Sequence, residues 1–130
     1  MNGPEDFTEA GIGVLVDRFY AKARRDPVIG PVFEQAVADW DAHLATLTDF
    51  WSSVMLTSGR YKGNPMAAHV KHPIEVRFFD RWLELWRETA AEVFEPAVAA
   101  KFSEKAGRIA ESLTLALFYR PGRTGLPAAG

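Results

Sequence analysis

The chain has 130 residues, of which 48% are hydrophobic and 25% charged, with a net charge of −2. That size and balance fit one globular domain with a real core, and the slight acidic excess excludes a surface built for polyanions, so no nucleic-acid partner is expected. There is no cysteine, which excludes disulfides, iron–sulfur ligation and C-x-x-C-H haem attachment and agrees with a reducing cytoplasm.

Met1-Asn2-Gly3-Pro4-Glu5-Asp6 has no basic start and no apolar run, so it does not read as a signal peptide. The first helix is expected from about Asp6 or Thr8, with Asp6 and Glu9 at capping-box spacing. Ile12, Leu15, Val16, Phe19, Tyr20 and Ala23 then recur at helical intervals. Gly11-Ile12-Gly13 is no nucleotide fingerprint, since it follows no strand and lacks the third glycine. Arg24-Arg25 reads as the C-terminal end of this helix, where the dipole favours cations. Asp26-Pro27 and Gly30-Pro31 are turn signals. A short helix is expected from about Pro31 to Val37. Asp39 then caps a third, whose apolar face runs Trp40, Leu44, Leu47, Trp51 and Val54 with His43 on the same side. Ser58-Gly59 should end it.

Next comes a short helix that carries His69. Asn64 is a good N-cap, Pro65 suits the first helical position, and His72-Pro73 should stop the helix. A long helix from about Ile74 to Glu95 bears Phe78, Phe79, Trp82, Trp86, Ala90 and Val93. Pro96 opens the last helix, with Val98, Phe102, Ile109, Leu113 and Leu117 as its buried stripe. Residues 1–119 read as a single domain and 120–130 as a disordered tail. No strand, repeat or linker is evident, and no apolar run is long enough to span a membrane. The expectation is an all-α fold whose stripes converge on one core.

Three histidines are present. His69, mounted on a short helix between Met66 and a proline stop, is placed as a ligand could be, and a haem iron is one ion it could hold. His43, on the preceding helix, could look into the same space from the other side. Tyr20 and Trp82 are polar-tipped aromatics within apolar stripes, and when buried each needs a partner for its O–H or N–H. Core packing would account for any one of them. A di-iron bundle would want Glu-x-x-His, but the residues three before His43, His69 and His72 are Trp40, Met66 and His69. A zinc pair of His69 and His72 lacks an evident third ligand.

The matching stretches are Phe19-Tyr20, Asp26-Pro27 through Gly30-Pro31-Val32-Phe33, Trp40-x-x-His43-Leu44, and Phe50-Trp51. Beyond them come Tyr61-x-Gly63-x-Pro65-x-x-x-His69 and Phe79-x-x-Trp82-Leu83-x-Leu85. In these the chain resembles the group III truncated haemoglobins. The double-glycine pairs of groups I and II are absent, as in group III. The resemblance implies a truncated globin fold, a two-over-two helical sandwich around a non-covalent haem b. It implies His69 as the iron ligand, Tyr20 and Trp82 as donors to a ligand on the far side, and His43 as a gate there. Phe19, Leu44, Leu47, Trp51, Tyr61, Met66 and Phe79 would line or support the pocket. The segment between His69 and Trp82 is shorter than the family's usual spacing. Arg60, Lys62, Lys71, His72 and Arg77 are candidate propionate partners by charge and neighbourhood.

The function so implied is binding of O2, NO or CO at haem iron in a cytoplasmic protein, a monomer or weak dimer with no membrane partner. Strong polar contacts would slow O2 release. That favours redox chemistry on a held ligand, such as nitric oxide oxidation or peroxide turnover with a reductase as candidate partner, over bulk transport. The alternatives are a hexacoordinate haem protein, with His43 also on the iron, for electron transfer or sensing, and a haem-free helical interaction module.

Overall fold

A computed structural model of the chain describes residues 8–64, 69 and 75–118. Among them lie five α-helices: α1 (Glu9–Ala23), α2 (Gly30–Ala36), α3 (Trp40–Leu56), α4 (Val76–Val93) and α5 (Pro96–Phe118). There is no strand among the described residues. No helix among them is long and apolar enough to cross a membrane.

The helix ends follow local chemistry. Thr8 caps α1 by accepting from Gly11 N–H, so the cap is Thr8; Asp6 lies outside the described residues. Asp39 caps α3 through Ala42 N–H, as its sequence position predicts. α3 stops at Leu56, two residues before the expected Ser58, because Thr57 turns left-handed at φ 57°. Gly59 follows at φ 74°, a conformation glycine adopts without strain. α4 opens at Val76 and α5 at Pro96. His69 is helical, but the rest of the expected short helix, Met66 included, lies outside the described residues, as do Lys71, His72 and the tail.

α4 packs against α5 and against α1, and α1 against α3. The pairs α1/α3 and α4/α5 thus form the two layers of a truncated globin fold. The core between them holds Ile12, Leu15, Val16 and Phe19 of α1, Trp51 of α3, Trp86 and Ala90 of α4, and Phe102 of α5. Trp86 joins three of the helices. Its ring stacks on Trp51 at 4.5 Å between centroids, and its Nε1–H donates to Phe102 O at 3.2 Å. Outside, Lys22 of α1 reaches Glu88 (2.8 Å) and Glu92 (2.6 Å) of α4.

The α1–α2 turn is tight and built around a buried carboxylate. Asp26 Oδ2 accepts from the N–H groups of Val28 (2.9 Å) and Ile29 (3.1 Å), and Oδ1 pairs with Arg81 of α4 at 2.7–2.8 Å. Burial pushes this carboxyl up, but Arg81 and the two N–H groups together hold it below the ordinary carboxylate value. Gly30 is required here, since a Cβ on it would lie 2.8 Å from Arg24 O.

A candidate haem pocket

An apolar cavity of about 280 Å³ opens between the layers. α3 supplies one wall. His43, Thr46, Leu47, Phe50 and Trp51 recur at three- and four-residue steps, so a single face of the helix meets the cavity. α4 supplies Phe78, Phe79 and Trp82, α5 supplies Ile109 and Leu113, and α1 supplies Tyr20. The turn into α2 adds Ile29, with Val32 and Phe33 after it. Tyr61 and His69, from the connection after α3, complete the lining.

Of the residues the sequence singles out, Tyr20, His43, Leu47, Trp51, Tyr61, His69, Phe79 and Trp82 meet at this cavity. Phe19 and Leu44 stand off its wall. Each is one residue from a lining position, Tyr20 or His43, and a helix turns roughly 100° per residue. Phe19 is fully buried behind the wall, 6.0 Å from the Trp82 ring and 5.1 Å from Trp86. Leu44 packs on the same core. Sequence reasoning did not single out Ile29, Val32, Phe33, Thr46, Phe50, Phe78, Ile109 or Leu113 as lining residues. The three- and four-residue spacing after His43 was the available signal for Thr46, whose hydroxyl donates back to Ala42 O.

The polar groups at the cavity are few. The Trp82 indole N–H, which can only donate, stands near enough to the Tyr20 phenol oxygen to favour its ionised form. Burial pushes the Tyr20 phenol far above its usual value, with Trp82 opposing in part, so the phenol keeps its proton at neutral pH. The His43 ring stands edge-on to Tyr20 at 5.8 Å. Burial, then the nearby His69, lowers its pKa, so the imidazole is neutral at pH 7. His43 Nε2 is buried with no hydrogen-bond partner among the described residues. The His69 ring lies 6.3 Å from Phe79. Tyr61 sits edge-on to Phe50 at 5.1 Å, and its N–H donates to Ser53 Oγ at 2.9 Å. A Cβ at Gly63 would fall 2.6 Å from the Tyr61 hydroxyl, which explains a glycine two residues after that tyrosine.

Of the candidate propionate partners, Arg60 pairs with Glu9 at 3.2 Å and Lys62 is exposed. Arg77 pairs with Glu75 at 2.8 Å and lies 4.9 Å over Phe78, a cavity residue. No cluster of three or more His, Asp or Glu side chains that could hold a metal ion alone occurs among the described residues.

These residues fit a flat apolar group with one ligand-accepting metal: the walls are aromatic and aliphatic, two imidazoles line the space, and a buried ring nitrogen is left unpartnered. Fold and site together define a truncated globin fold around a pocket whose lining fits haem. In sequence and in fold the chain is similar to group III truncated haemoglobins. It is 29% identical over 123 residues to the group 3 truncated haemoglobin ctb of Campylobacter jejuni, covering 91% of this chain and 97% of that one. The crystal structure of group III truncated haemoglobin from Campylobacter jejuni superposes with a TM-score of 0.84 at 29% identity, over 92% of this chain and 97% of that one. No family model matches the chain.

Proposed function

We propose that the chain holds haem b non-covalently through His69 and binds O2, NO or CO beside Tyr20, His43 and Trp82. The observation that carries this reading is the meeting of these four side chains at one apolar cavity, with His43 Nε2 buried and unpartnered among the described residues. The haemoglobin name of the Campylobacter relative supports it. Haem, when bound, supplies iron able to exchange a small ligand and to change oxidation state.

The chain supplies the surroundings. His69 offers a ring nitrogen to the metal. Leu47, Phe50 and Phe79 exclude water from the ring system. Tyr20 O–H, kept protonated by burial, is the donor for a ligand that carries partial negative charge. Trp82 N–H, beside the Tyr20 oxygen, orients that proton and polarises it. Neutral His43 covers the ligand side. Arg77, over Phe78, is the candidate propionate partner nearest the wall. Slow release from these donors suits redox turnover of a held ligand, with nitric oxide and peroxide as the candidate reactants. The absence of cysteine agrees with a cytoplasmic setting.

A second reading, in which His43 also ligates the iron, is favoured by the free Nε2. One set of spectra separates the two. The reduced, haem-loaded protein should give a five-coordinate high-spin spectrum whose Soret band shifts when carbon monoxide is added. A low-spin six-coordinate spectrum before addition would place His43 on the iron. A ferrous spectrum that carbon monoxide leaves unchanged would sink ligand binding altogether.

A further inference from the structure

His43 is backed by a residue that has no part in the cavity wall. Trp40, one turn earlier on α3, stands 5.5 Å from His43 at 87°. It also meets Tyr20 at 5.9 Å and Phe33 at 6.2 Å. The His43 imidazole is thus held between Tyr20 and Trp40. Trp40 is itself held from outside. The Arg24 guanidinium, at the C-cap of α1, lies 4.3 Å over its ring. Arg24 Nε is 3.4 Å from Glu34 Oε2 on α2. Ends of three helices therefore meet in one chain of contacts, from Glu34 through Arg24 and Trp40 to His43.

We propose that Arg24, aligned by Glu34, latches Trp40 onto His43, and that this latch sets the rate at which a small uncharged ligand reaches the cavity. Arg24 and Trp40 are positioning residues, acting through His43. The ion pair is exposed and the cation–π contact stands at the surface, so each is individually weak. A weak latch suits a rate-setting role, since it opens often without loss of fold. The inference rests on the cavity being the ligand site proposed above.

The test has two arms, on wild type, Arg24→Ala and Arg24→Lys. In haem-free protein, carbethoxylation of His43 is followed by mass spectrometry, with modification of His69 as internal control. Arg24→Ala should raise the His43 rate about three- to tenfold, equivalent to about 0.6–1.4 kcal/mol, and leave the His69 rate unchanged. Arg24→Lys, which keeps the cation, should fall between Arg24→Ala and wild type. In haem-loaded protein, carbon monoxide association should accelerate by a similar factor in Arg24→Ala, with dissociation unchanged. An equal rise at His43 and His69 would mean general loosening and would overturn the latch, as would an unchanged His43 rate. Faster His43 modification with unaltered carbon monoxide association would overturn the rate-setting role, because the ligand would then enter elsewhere. Failure to bind haem would strike the reading of the cavity alone, since the first arm needs no haem.

Discussion

Tyr20→Phe should speed O2 dissociation about ten- to a hundredfold, the loss of one hydrogen bond to a charged acceptor, about 1.5–3 kcal/mol. The size follows from the donor arrangement. In the proposed arrangement Trp82 directs its single N–H to the Tyr20 oxygen and leaves the phenolic proton as the donor for a bound ligand. Trp82→Phe should then matter less, about three- to tenfold, the size of one neutral hydrogen bond that polarises the true donor. The double variant should be close to Tyr20→Phe alone, because Trp82 acts through the phenol. Stopped-flow O2 displacement by carbon monoxide measures all three. A larger effect at Trp82 than at Tyr20 would mean that the indole itself turns to the ligand.

Asp26→Ala should destabilise the fold by about 2–3 kcal/mol, from the loss of two backbone caps and a charge-assisted hydrogen bond at a buried carboxylate. Its partner Arg81 is 37% exposed at the side chain, so solvent screening keeps the figure near the lower part of what those contacts could give. The damage should extend to the cavity, because Ile29, whose N–H the carboxylate holds, lines it, and Arg81 precedes Trp82. Asp26→Asn isolates the charge. The folded-state pKa of Asp26 lies below its unfolded value, so its contribution is complete above the ordinary carboxylate range and is lost as pH falls through the folded value. Wild type should therefore lose more stability between pH 7 and pH 3 than Asp26→Asn does. Urea unfolding at the two pH values checks both statements, and equal slopes in the two proteins would remove the charge from the explanation.

What could be read in the sequence was local. Asp39 and Pro96 mark helix starts by chemistry that acts within one turn, and α3 and α4 are long enough for their periodicity to show which face is buried. α2, with seven residues, carries no such period, so the contribution of Val32 and Phe33, and of Ile29 at its N-cap, to the cavity was not legible. Phe19 and Tyr20 are both buried, and periodicity alone does not say which of two adjacent buried rings faces a cavity and which faces the core behind it. The Asp26–Arg81 pair joins residues 55 apart, a partnership set by how α4 crosses α1 and not by any local pattern. The same holds for the nearness of Trp82 to Tyr20, on which the proposed division of work between two residues of the same expected role depends.

The most direct measurement is a haem titration of haem-free wild type and His69→Ala, followed in the Soret region. For wild type a saturating band at one haem per chain is expected, and for His69→Ala a band that is lost or shifted in position and weakened in affinity. Identical titrations and identical spectra in the two proteins would contradict the assignment of His69 as the residue that holds the iron.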